Sequence, residues 1–177
     1  LAQQERLRTS IQLPAELTLA FDNSSTAIRY PGTAPPCQGE LFCAPGEEVI
    51  EISSSRQHEA IAELRDWIRR RARQTLPPLL EQVAQQTGLR YNRVSIRSQK
   101  TRWGSCSSNN NINLNAALML RSPEEVHYVV IHELCHLRHM NHSKRYWQLV
   151  EQHVTNWSHI DKRLDQAWLT SPNWLLH

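Results

Sequence analysis

The sequence predicts an α+β protein, with short antiparallel β-rich stretches set against helices. Three observations lead there. Apolar residues mostly alternate in residues 10–53 and again in 92–115. They recur at three- and four-residue steps over 56–87. A further apolar run, Val126 to Leu137, follows a strong helix-start signal. The 177 residues suffice for one domain with a real core, or a core with a small appendage.

Leu1 to Arg8 is polar and charged and has no signal-peptide core. In residues 10–53, Ile11, Leu13, Leu17, Leu19 and Phe21 make one strand interrupted at Pro14, and Thr26–Tyr30 a second. Leu41–Ala44 and Val49–Ser53 follow as further strands, and 31–36 is turn material. We expect an antiparallel meander over 1–55, packed on a main domain of 56–177. Residues 56–87 predict a helix, in which Ala60, Ile61, Leu64, Trp67, Ile68, Ala72, Leu76, Leu79, Leu80 and Val83 recur at three- and four-residue steps. Pro77-Pro78 should kink or split it, because proline lacks the helical N–H donor. Gly88 suits its end. Arg69-Arg70-Arg71 and Arg73 follow the polar side and read as a solvated face.

Residues 92–115 predict three strands: 94–98, then 101–106 across a tight Gln99-Lys100 turn, then 112–115 after a polar loop. A short helix over 116–120 comes next. Ser122-Pro123-Glu124-Glu125 then has serine at the N-cap, proline at N1 and glutamate at N3, so a helix should run from Pro123 to about Met140. Another is expected from Lys144 to about Thr155. Trp157, Trp168 and Trp174 should fasten the tail to the body.

The chemistry lies in Val130-Ile131-His132-Glu133-Leu134-Cys135-His136-Leu137. Helix positions i and i+4 share a face, so His132 and His136 can aim two imidazoles at one metal ion, and Glu133 is a carboxylate base beside them. A catalytic zinc takes three protein ligands and keeps a fourth position open. His139 lies ~10 Å along the axis from His132 on an unbroken helix, too far for ~2 Å bonds. The chain must therefore turn, with Asn141 as left-handed terminator and Ser143 as the next N-cap. His142 sits at that corner and is assigned as third ligand, with Glu151 as fallback. His153 and His159 read as ordinary histidines. The Arg102-Trp103-Gly104-Ser105 strand is the candidate substrate-binding edge, pairing with a peptide backbone by strand addition; ordinary core, with Trp103 as packing and Gly104 as a bulge, is the competing reading.

Thr101-Arg102-Trp103-Gly104-Ser105-Cys106-Ser107, Ile112–Asn115, Tyr128–Leu137 and Asn141-His142-Ser143-Lys144-Arg145-Tyr146-Trp147 together resemble the YgjP-like family of bacterial metal-dependent hydrolases, kin of the SprT and WLM zinc peptidases. The resemblance covers about residues 56–157. It implies a zincin-like metallopeptidase core with Zn2+ on His132, His136 and His142, Glu133 as base, and a peptide or protein substrate. Tyr146 stands where the family often has phenylalanine, so its hydroxyl is not assigned to catalysis. The ligand spacing also fits metzincins, but those need glycine at position 139 and a methionine downstream, and this chain has neither.

Other classes are less favoured. No apolar run approaches the ~20 residues of a membrane span. Cys37, Cys43, Cys106 and Cys135 make no C-x-x-C pair and read as reduced thiols of a cytoplasmic protein. A nucleic-acid-associated role rests on Arg90, Tyr91, Arg93, Arg97, Lys100, Arg102 and Trp103 and on the SprT kinship. The net charge of only +3 weighs against it.

Overall fold

A computed structural model of the chain describes residues 13–32 and 49–176. The predicted first half of the Ile11–Phe21 strand and the whole of Leu41–Ala44 fall partly or wholly outside them, as do Cys37 and Cys43. The architecture is α+β, with two three-stranded sheets and a set of helices.

Strands β1 (Glu16–Leu19) and β2 (Ser24–Arg29) form an antiparallel hairpin. Asn23 takes a left-handed conformation at φ 55° to close it. Strand β3 (Ile50–Glu51) joins β2 in parallel, not antiparallel as the expected meander requires. The connection from Arg29 to Ile50 is long enough for a crossover, and a parallel partner needs one. Leu17, Leu19, Ile28, Ile50 and Ile52 all belong to the same apolar core as the helices.

Helix α1 (Gln57–Thr87) runs unbroken through Pro77 and Pro78 and ends at Gly88, φ 69°. The expected split does not occur. Leu76, Leu80 and Val83 continue the buried stripe on both sides of the proline pair, and that packing outweighs two missing backbone donors. The arginine run is partly engaged: Arg69 pairs with Asp66 and Arg71 with Asp22 of the hairpin.

The second sheet has the order β4 (Arg93–Arg97), β6 (Asn111–Asn115), β5 (Gly104–Cys106). The central strand is the last in sequence, parallel to β4 and antiparallel to β5. Gln99-Lys100 is therefore not a hairpin turn. Asn115 explains why. Its side-chain amide donates to the carbonyls of Gln99 at 2.8 Å and Arg102 at 2.9 Å, and its backbone N–H donates to Trp103. These bonds carry the β4–β5 connection across the end of β6 and leave β5 at an edge. The Asn115 carboxamide oxygen also caps the 3₁₀ turn Ala116–Leu120 by accepting from Ala117 N–H.

Helix α2 (Pro123–Cys135) starts with the expected capping box between Ser122 and Glu125. Val126, Tyr128, Val129, Val130, Ile131, Leu134 and Cys135 are buried, so the helix lies within the body of the protein. It stops five residues short of the expected Met140. Leu137 and Arg138 bond back to Leu134 and Cys135, a tightened last turn. Asn141 is not left-handed; among described non-glycine residues only Asn23 and Asn110 are. Helix α3 (Lys144–His153) is capped by Ser143, as expected. Helices α4 (Trp157–Thr170) and α5 (Asn173–Leu176) close the fold. Trp157 stacks on Trp147, Trp168 meets Trp103 edge-on, and Trp174 is buried. Among the described residues no helix is long and apolar enough to cross a membrane.

Candidate metal centre

The early end of α2 positions the centre. His132 and His136 leave one face of the helix, and the chain turns at once and returns His142 to them. One ligand atom from each of the three lies within 4.8 Å of the others. His132 Nε2 and His142 Nε2 are 3.2 Å apart. Two nitrogens bound at ~2.0–2.1 Å to a tetrahedral ion stand roughly 3.3 Å apart, so this spacing suits a shared cation. Burial holds the His132 imidazole down to about pKa 3 and lowers that of His136, so both are neutral donors. Three imidazoles, with no fourth protein ligand among the described residues, fit a catalytic divalent metal.

Each imidazole has a support. The His136 Nδ1–H donates to the His139 carbonyl at 3.1 Å, which leaves Nε2 for the metal. Thus His139 contributes its backbone; its ring lies outside the cluster. Tyr128 Oη lies 3.5 Å from His132 Nδ1 and donates to Asp161 at 2.8 Å. His142 is exposed, but its ring stacks on Trp147, which stacks in turn on Trp157. Tyr146 is fully buried, stacks on His136 and donates its hydroxyl to the His132 carbonyl at 3.0 Å, so it braces the ligand helix.

Glu133 is 5 % exposed, and its Oε2 has no hydrogen-bond partner among the described residues. Burial pushes its carboxyl up to about 8, against a smaller opposing pull from Arg102. A cation on the imidazoles would favour the ionised form. The carboxyl lies against β5. A Cβ added at Gly104 would stand 2.6 Å from Glu133 Oε1, so glycine is the residue that lets strand and carboxylate meet. A bulge is not its reason.

The structure brings part of the expected substrate segment to this centre. Gly104 touches Glu133, Arg102 is exposed nearby, and Ser105 accepts from Asn113. Trp103 is turned to the body: its indole N–H donates to Leu164, and Arg121 lies over its ring. Glu151, His153 and His159 are exposed and stand outside the cluster. Cys106 and Cys135 are unpaired thiols. The sequence reading missed Tyr128, Asp161 and Trp147. Tyr128, four residues before His132 on a helix, carried a signal of its place; Asp161, a long way down the chain, carried none.

A family model for YgjP-like proteins, described as a metallopeptidase domain, matches residues 43–167. No curated protein matches the chain. Two solved metallopeptidase zymogens are similar. Abylysin of Pyrococcus abyssi has 30 % identity over 51 % of this chain and 91 % of that one, with a TM-score of 0.46. Jannalysin of Methanocaldococcus jannaschii has 17 % identity over 51 % and 94 %, also at 0.46. On the extent of the family match, the chain belongs to the YgjP-like metallopeptidase family.

Proposed function

We propose that the protein is a zinc-dependent peptidase in which His132, His136 and His142 hold the ion and Glu133 is the general base. The observation that supports this best is the juxtaposition of three imidazoles with a buried carboxylate whose Oε2 has no hydrogen-bond partner among the described residues, beside an edge strand. A divalent ion bound there supplies water activation near neutral pH and polarises a carbonyl. Glu133 takes the proton of the attacking water on its carboxylate and returns it to the leaving amine. Among the described residues strand β5 is free on one side to pair with an extended substrate backbone, and Gly104 keeps that backbone close to Glu133. Arg102, or a backbone donor of β5, would hold the developing oxyanion. The unpaired Cys106 and Cys135 support a reducing, cytoplasmic setting.

The test is metal analysis together with a broad peptide-library assay. Glu133→Gln should keep the metal and abolish turnover, whereas cleavage at the normal rate would refute the base assignment. His142→Ala should lower metal affinity; unchanged metal content would move the third ligand to Glu151 or elsewhere.

A further inference from the structure

Between Glu81 and Glu124 the sequence has no aspartate or glutamate, yet it carries Arg90, Arg93, Arg97, Lys100, Arg102 and Arg121. The rest of the chain, with fourteen cations against seventeen carboxylates, is net negative. Charge is thus segregated, and the cationic segment is the one that builds the β4-β6-β5 sheet. The fold concentrates it further. At the end of β4 a cleft of about 520 Å³ is lined by Arg69, Arg73, Arg97, Ser98, Gln99 and Asn113. Asp66 neutralises Arg69, but among the described residues Arg73, Arg97, Lys100 and Arg102 have no ion-pair partner. Asn115 ties the cleft to the metal centre: one amide nitrogen holds the carbonyls of both Gln99 in the cleft and Arg102 just before β5. Two residues on, Gly104 touches Glu133.

From this continuous path we propose that Arg73, Arg97, Lys100 and Arg102 form a cationic band that selects peptide substrates carrying acidic side chains beside the cleaved bond. This rests on the peptidase reading. Nucleic acid is the other polyanion to weigh. Strong single-strand binding uses free aromatic faces for base stacking. Here Trp103 is held by Leu164 and covered by Trp168 and Arg121, and Tyr91 is tied to Glu81. The band therefore offers charge without a stacking platform.

The test is fluorescence anisotropy with the full chain carrying Glu133→Gln, using a labelled peptide rich in Asp and Glu and its Asn/Gln counterpart. The acidic peptide should bind at least ~10-fold more tightly at low salt, and the gap should close at ~0.5 M NaCl as screening sets in. Adding Arg73→Gln, Arg97→Gln and Lys100→Gln should remove the preference, and Arg73→Lys with Arg97→Lys should retain it. Equal binding of the two peptides, or a preference that survives the triple substitution, overturns the proposal. So does tighter binding of a single-stranded oligonucleotide of equal charge. Cleavage of the same peptides by wild type separates the two readings: a binding preference without cleavage removes the role in substrate selection together with the peptidase reading and leaves only an acidic-peptide site, whereas cleavage without a preference overturns the band alone.

Discussion

At the scale of single residues, Gly104 decides whether the carboxylate and the edge strand can share space. A methyl group there would meet three side-chain atoms of Glu133, at 2.6 Å from Oε1, 2.8 Å from Cγ and 2.9 Å from Cδ. Either the strand or the carboxyl has to move, and Glu133 is packed within α2. An ångström of misplacement can cost on the order of 100-fold in rate. Gly104→Ala should therefore reduce kcat/KM by about that factor while metal content stays at the wild-type level. Equal activity in the variant would show that β5 yields without cost. The sequence marked Gly104 as unusual, because glycine inside a strand needs a reason. It could not supply the reason, which is a contact between residues far apart in the chain. His132, Glu133 and His136 were legible because their relation is local to one helix, and Trp103 is the converse case: its indole partner Leu164 lies on α4.

At the scale of elements, α2 is a buried helix on which two of the titratable side chains, His132 and Glu133, have opposite demands. Burial lowers His132 from 6.5 to about 3, so its neutral form adds stability above pH 6.5 that is lost as pH falls toward 3. Burial raises Glu133 from 4.5 to about 8, so its protonated form adds stability below pH 4.5 that is lost as pH rises through 8. Between 4.5 and 6.5 the two trends oppose each other. From 6.5 to 8 only Glu133 acts, at a limit of about 1.4 kcal/mol per pH unit. Protein stripped of metal by a chelator should lose urea resistance over that window, and Glu133→Gln should flatten the loss. An equal slope in wild type and variant would count against burial of the carboxyl. Restoring the metal should also flatten it, since the cation favours the ionised form. The start of this helix was readable from Ser122, Pro123 and Glu125, which are adjacent. Its end was not, because what stops it is the return of His142 and Tyr146 to the helix, and Tyr146 bonds the His132 carbonyl from α3. The same limit applies to the second sheet. Its strands were readable from alternation, but their order depends on Asn115 reaching Gln99 and Arg102.

At the scale of the whole molecule, the N-terminal sheet raises the question of whether residues 56–177 can stand alone, as the division at residue 55 suggests. The apolar core runs across that division. Leu17, Leu19, Ile28, Ile50 and Ile52 are each at most 5 % exposed and share one cluster with Leu64, Ile68 and Leu118. Two polar links add to this: the Phe21 N–H donates to the Met119 carbonyl, and Asp22 pairs with Arg71 on α1. Burying one such aliphatic side chain is worth ~1.5–3 kcal/mol, so five are worth about 7–15 kcal/mol as an upper estimate. A domain's entire net stability is about 5–15 kcal/mol. Removing residues 1–55 would also leave the facing side of α1 in water. The truncated chain should therefore lack a cooperative thermal transition and should bind metal weakly, because α1 and the 3₁₀ turn brace the sheet that faces α2. Differential scanning calorimetry of the 177-residue chain and the truncated one checks this directly. A truncated chain that melts cooperatively near the temperature of the 177-residue chain, with metal bound, would make the N-terminal sheet a dispensable appendage.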